Sequence, residues 1–272
     1  MTPKLHGNNF FTNCSFSHSA PDDPIVHPGE PGQSHPHTFF GNTTTDAYST
    51  LASLRRGETT CAIKADKAAY WVPSVYQNGH EIRPAKAQAY YVLRGYDQMH
   101  PFPQGLKMVA GNSHAMRAQP MQVTYWDCGA AAVRARISST IPQCGVMRVA
   151  MKGFFRPCPT CAARKLPVRR TKTFLELHVD FPDCWDGKHL DSADHASHMA
   201  YSRDYVCPSS HPVKVPLIRL NVRYPISDTT GVDIASGTQF SGHADFFNAW
   251  DAKTLARIVD TCFHGPCDPK KL

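Results

Sequence analysis

Two histidines stand one residue apart in the stretch GQSHPHTFFGN, residues 32–42. In an extended backbone, residues i and i+2 point to the same face, so His35 and His37 can converge on one substrate or one metal ion. A second stretch, FPDCWDGKHLDSADHASHMAYS (residues 181–202), crowds Asp183, Asp186, Asp191, Asp194, His189, His195 and His198 together. So many ionisable groups avoid an apolar interior unless they pair, which places them on solvent or around a cleft. A helix from Ser192 would set Asp194 beside His198 and Asp191 beside His195 at i, i+4. A carboxylate next to an imidazole fixes its tautomer and raises its basicity, as general-base or metal chemistry requires. Cys184, Trp185, Met199 and Tyr201 would anchor that segment on a core. The third stretch, SGTQFSGHADFFNAW (residues 236–250), supplies His243, Asp245 and Asn248 where a final helix is expected to open. There Asp245 serves equally well as the helix N-cap.

Other candidates are weaker. KADKAAYWVPSVYQNG (residues 64–79) carries Trp71, read as core, and Tyr70, which can stack on a sugar ring. His211, between Cys207 and Pro212, reads as structural. Cys158-Pro-Thr-Cys161 has zinc-like spacing, but without a second pair nearby it reads as a local disulfide. No Gly-rich phosphate loop, Gly-x-Ser-x-Gly elbow or His-Glu-x-x-His segment is present.

The elements that must hold these residues are mostly strands. Residues 87–95, 105–111, 121–128, 171–181 and 213–224 alternate or are rich in β-formers. Pro216 in the last of these predicts an edge strand or a bulge. Helical signals are confined to residues 45–57 and 245–262. With 22 prolines and 17 glycines, the pattern predicts a mainly β protein, an antiparallel jelly-roll-like sandwich with a few peripheral helices including a C-terminal one. Neither an internal repeat nor a low-complexity linker divides the chain, so residues 1–272 read as one domain, with residues 156–171 as a basic surface loop.

The bulk numbers narrow the chemistry. Lys and Arg exceed Asp and Glu by 29 − 22 = 7, which favours an anionic partner. Only Glu30, Glu58, Glu81 and Glu176 are glutamates, so an acid–base pair is expected from aspartates assisted by the fifteen histidines. Ten cysteines spread along the chain read as disulfides of an oxidising compartment. Asn13-Cys-Ser and Asn42-Thr-Thr match the glycosylation acceptor pattern. No apolar run is long enough for a membrane span, and the start MTPKLHGNNFF carries no leader, so the sequence reads as the mature part of a secreted protein.

The segments DDPIVHPGEPGQSHPHTFFGN, KAAYWVPSVY, PFPQGLKMVAG, FPDCWDGKHLDSADHASHMAY, CPSSHPVKVP and SGHADFFNAWD together resemble a family catalogued as domain of unknown function 1996. Its members occur in secreted fungal and bacterial proteins, sometimes beside carbohydrate-binding modules. The resemblance implies a polysaccharide partner and brings no catalytic residues with it.

The leading expectation is a secreted carbohydrate-active enzyme, a glycoside hydrolase. Its catalytic candidates are Asp186, Asp194, Asp245, His198 and His243. Its substrate-binding candidates are His35, His37, Tyr70, Trp185, His195, Tyr201 and Asn248. No cofactor is required, although His35, His37 and His243 could hold a divalent metal. A lyase is the near alternative, with Tyr201 abstracting a proton while a cation neutralises a uronate. A metal-dependent phosphodiesterase or nuclease would use His35, His37, Asp194 and His243, with residues 164–170 on phosphate; nothing in the sequence favours nucleic acid over sugar. A non-catalytic wall-binding module would instead expose an aromatic platform. The catalytic readings require residues 32–42, 185–201 and 242–248 to converge on one pocket.

Overall fold

The computed structural model describes residues 7–96, 98–129, 137–150 and 168–265. Ten strands form two five-stranded antiparallel sheets packed face to face. In chain order they are β1 (Asn9–Cys14), β2 (Phe16–Ala20), β3 (His37–Gly41), β4 (Ala69–Pro73), β5 (Lys86–Val92), β6 (Lys107–Gly111), β7 (Thr124–Asp127), β8 (Glu176–Asp180), β9 (Leu217–Arg223) and β10 (His243–Phe247). The first sheet runs β1-β5-β9-β8-β7 and the second β2-β3-β4-β10-β6. Helices α1 (Leu51–Arg56) and α2 (Ala252–His264) lie outside the sheets. The architecture is the expected mainly β sandwich with a C-terminal helix.

The two sheets differ in sequence pattern because they differ in burial. β5 and β9 alternate strictly: Ala87, Ala89, Tyr91, Ile218, Leu220 and Val222 point inward, while Lys86, Gln88, Tyr90, Arg219, Asn221 and Arg223 point out. β3, β4 and β10 are buried throughout, so HTFFG, AYWVP and HADFF read as near-continuous apolar runs. Phe40, Tyr70, Val72, Ala244 and Phe246 fill the space between the sheets. On the opposite face, Phe39, Trp71 and Phe247 pack with Ile25 and Leu54 into a second, smaller core. This second layer decides where the functional residues sit, because it covers the outer face of one sheet and leaves the other open.

Several boundaries depart from expectation. Pro216 precedes β9, and β9 is central rather than an edge, because the proline falls before the first ladder residue. Asp245 lies within β10, not at a helix start; Phe246 is needed in the inter-sheet core, and Asp251 caps α2 through Thr254 N–H at 2.9 Å. Helix α1 begins only at Leu51, where Thr50 and Ser53 form a reciprocal cap. The segment from Ser192 is a series of turns, not a helix, with His195 at φ 56°.

Disulfides join Cys14 to Cys61, Cys128 to Cys144 and Cys184 to Cys207, and Cys262 is disulfide-bonded too. Cys158, Cys161 and residues 156–167 of the basic stretch lie outside the described residues, while the rest of that stretch enters the strand Val168–Lys172. Asn42 is not a glycan site: it is fully buried, its amide donating to the Leu54 and Lys67 carbonyls. Among the described residues no helix is long and apolar enough to cross a membrane.

Candidate functional site

Two clusters of titratable residues emerge, one on each sheet. The first is the one the His-x-His spacing points to. His37 opens β3, and His243 and Asp245 lie on β10; β3 and β10 flank β4 on opposite sides. Residues 243, 245 and 247 share one face, so His243 and Asp245 point the same way as Phe247. His35, in the loop before β3, folds back so that its ring lies 4.3 Å from His37 and 5.0 Å from His243, centroid to centroid. Gly111, opposite His243 on β6, makes room: a Cβ there would stand 2.7 Å from the Gly242 carbonyl and 3.1 Å from His243 Cβ.

The polar geometry of this cluster is unbalanced. His37 Nδ1 lies 3.0 Å from the Asp22 carbonyl, and His243 Nδ1 lies 2.8 Å from the Ser241 carbonyl. A carbonyl only accepts, so both rings carry hydrogen on Nδ1 and present bare Nε2 atoms, which face each other at 3.5 Å. Burial holds all three imidazoles neutral. His35 is lowered to about 4, with the nearby His114 and His27 adding to the effect, and His243 to about 3. His37 also lies well below the ordinary range. Asp245 is buried with no hydrogen-bond partner on either oxygen, and burial, aided by Asp23, pushes its carboxyl far up. A cavity of about 190 Å³ is lined by His35, His243 and Asp245 together with Asp23, Gln33 and His114.

The Asp/His segment does not join this cavity. It meets the sheet at Lys107, where His198 Nε2 donates to the Lys107 carbonyl at 2.7 Å and Asp191 pairs with Lys107 Nζ at 3.2 Å. Lys107 is four residues along β6 from Gly111, roughly 13 Å at strand rise. The side chains expected to be catalytic there hold the loop together. Asp194 Oδ1 accepts from Ser197 N–H and Oγ–H, Ser192 Oγ–H and Ala196 N–H, and these donors hold its carboxyl far below the usual range. At Asp186 burial opposes ionisation, but the His189 and Lys188 N–H groups and the His189 ring outweigh it and hold the carboxyl at about 2. His195 pairs with Asp191 at 2.8 Å, Trp185 donates to the His189 carbonyl at 2.6 Å, and Tyr201 donates to the Asp180 carbonyl at 2.8 Å.

Two substrate-binding expectations are corrected outright. Tyr70 has no exposure: its hydroxyl donates to Asp66 at 2.8 Å and meets the Tyr91 hydroxyl, which accepts from the Trp250 indole at 2.8 Å. Asn248 is equally buried, its amide donating to the Pro103 carbonyl at 2.8 Å.

The second cluster was not anticipated. Register across the first sheet turns its outer face into a lattice. Gln88, Asn221, His178 and Tyr125 lie directly opposite one another on β5, β9, β8 and β7. Beside that row runs Lys86, Arg223, Glu176 and Asp127, and on its other side Tyr90, Arg219 and Asp180. His178 is the centre. Its Nδ1 meets Asn221 Oδ1 at 2.6 Å, its ring stacks on Tyr125 at 4.5 Å, and its Nε2 lies 3.1 Å from Asp127 and 3.5 Å from Glu176. Burial disfavours its charge, yet Asp127 and Glu176 outweigh that and raise it to about 9. Burial likewise opposes ionisation of Glu176, but His178 and Arg223 overcome it and hold the carboxylate ionised. A depression of about 310 Å³ lies over this face. The signal was present in the strand parity: every second residue of ELHVD and RLNVR is polar, and those residues share one face.

Against known proteins, a family model described as domain of unknown function (DUF1996) matches residues 23–250. No curated protein and no solved structure matches.

Proposed function

The chain belongs to the DUF1996 family, and from the face of its first sheet we propose that it is a secreted enzyme acting on an acidic polysaccharide, with Asp127, Glu176 and His178 as the reacting cluster. The observation that carries this reading is the lattice itself. An extended polymer needs a long open surface offering repeated polar contacts and flat rings. Here amides from Gln88 and Asn221, rings from Tyr90 and Tyr125, and guanidinium groups from Arg219 and Arg223 line one depression. The cationic lining residues Lys86, Arg219, Arg223 and protonated His178 exceed the anionic Asp127 and Glu176, which suits a uronate-bearing chain.

Glycoside hydrolysis asks for two carboxyl groups, about 5–5.5 Å apart when configuration is retained. Oxygens of Asp127 and Glu176 lie within 4.8 Å of each other and of His178 Nε2. Glu176, held ionised by His178 and Arg223, is placed to attack or to stabilise developing positive charge. Asp127, with the imidazolium beside it, is placed to manage the proton. Of the four ligands the phosphodiesterase reading names, His35, His37 and His243 come together, whereas Asp194 is engaged by Ser192, Ala196 and Ser197 in its own turn.

The test is a panel of neutral and uronate-bearing wall polysaccharides, followed by chromatography of released oligosaccharides and by the ultraviolet absorbance of unsaturated uronates, with and without chelator. We expect release from an acidic glycan to fall at least a hundredfold in Glu176→Gln and His178→Asn and to persist in Asp194→Ala. Unsaturated products would make the reaction an elimination. Binding without cleavage of any glycan would sink the enzymatic reading in favour of a wall-binding module.

A further inference from the structure

We propose that His35, His37, His243 and Asp245 form a binding site for one divalent transition-metal ion of the zinc class. The inference is independent of the glycan reading and rests on the other sheet.

The first argument is the surplus of acceptors. The Nε2 atoms of His37 and His243 are bare and face each other at 3.5 Å, Asp245 accepts from nothing, and His35 Nε2 is buried without a partner. Such a group of lone pairs is costly when buried unless an electrophile sits among them. The second argument is distance. Two nitrogens bound at about 2.0–2.1 Å to a tetrahedral zinc stand roughly 3.4 Å apart, close to the observed spacing. The ligating atoms of the three histidines also lie within 4.8 Å of one another.

The third argument is charge. Three other buried acids have cationic partners, Asp180 with Arg219, Glu176 with Arg223 and Asp183 with Lys214, and Asp66 accepts from the Tyr70 hydroxyl and the Ala68 N–H, whereas Asp245 has neither kind of partner. Asp245 and the adjacent Asp23 line a cavity that holds neither lysine nor arginine. Two carboxylates and three neutral imidazoles are the complement of a doubly charged cation. Carbonyls of Asp22 and Ser241 already fix the ring orientation of His37 and His243, the support that metal-binding histidines receive. The cavity lined by Gln33 and His114 gives the ion a way in, and three of the four ligating residues, His37, His243 and Asp245, sit on neighbours of a central strand, so the site is preorganised.

The experiment uses the full chain without a histidine tag, stripped with chelator and dialysed. Zinc is measured by elemental analysis after equilibration, and cobalt is titrated while its visible absorption is followed. We expect one equivalent, a submicromolar Kd against a chromophoric competitor, intense cobalt bands of low coordination number, and a rise in Tm with zinc. His35→Asn, at the half-buried rim, is expected to keep the fold and weaken binding at least tenfold; Asp245→Asn is a second fold-sparing variant. His195→Ala, in the Asp/His loop, is the control and should bind as wild type does. A wild-type chain that takes up no stoichiometric metal at micromolar concentration overturns the proposal. So does uptake that is unchanged in both His35→Asn and Asp245→Asn, which would assign the metal to other surface histidines.

Discussion

Single side chains in this protein are assigned their tasks by what surrounds them more than by their type. Asp194 and Glu176 are both carboxylates held ionised, but backbone N–H groups and serine hydroxyls hold one in an exposed turn, while an imidazolium and a guanidinium hold the other beneath an open depression. His178 differs from the histidines of the second sheet in the same way: two carboxylates raise it, and burial, aided by neighbouring imidazoles, lowers the others. A raised folded-state pKa has a definite sign in stability. The protonated ring contributes fully below the unfolded value near 6.5, and the contribution is lost as pH rises through about 9. Denaturant unfolding of the wild type should therefore lose up to about 3 kcal/mol between pH 6.5 and 9.5. The same measurement on His178→Asn should show a clearly shallower loss over that window, and equal slopes in the two proteins would refute the assignment.

At the scale of strands and loops, position along a ladder decides what is near what. Gly111 has φ 86°, and an added Cβ would meet the Gly242 carbonyl at 2.7 Å. Gly111→Ala should cost about 1–3 kcal/mol in urea unfolding and move His243 off its partners; a neutral substitution would mean that β6 and β10 can slide apart. The sequence made the first sheet readable through its strict alternation, and the same-face logic of the His-x-His spacing agrees with the closeness of His35 and His37. Three things hid the rest. β3, β4 and β10 are covered on both faces, so their period is lost and Asp245 looked like a helix start. The density of Asp and His in residues 181–202 resembled a reactive cleft, whereas these groups are consumed by one another, by serine hydroxyls and by backbone N–H and carbonyl groups, the last of which are invisible in a list of side chains. The lattice of Glu176, His178, Arg219 and Arg223 exists only once register is known, because its members come from strands far apart in the chain.

Over the whole molecule, the chain passes from one sheet to the other between β1 and β2, and Cys14, at that crossing, is tied to Cys61. The bridge closes a sequence separation of 47 residues that includes β3, α1 and both adjacent histidines of the proposed metal site. Removing it as Cys14→Ser/Cys61→Ser should destabilise the fold by about 4 kcal/mol on the chain-entropy estimate. A loss well under 1 kcal/mol in chemical unfolding would show that the segment is held by its apolar contacts alone. The alternation of β5, β8 and β9 also bears on descent. In β5 and β9 one parity of residues builds the interior and the other meets the outside, and in β8 Glu176 and His178 of the second parity line the depression, so the two can change separately under selection. Relatives that exchange one glycan for another would carry their differences at every second position of these strands, and the intervening letters would stay nearly still.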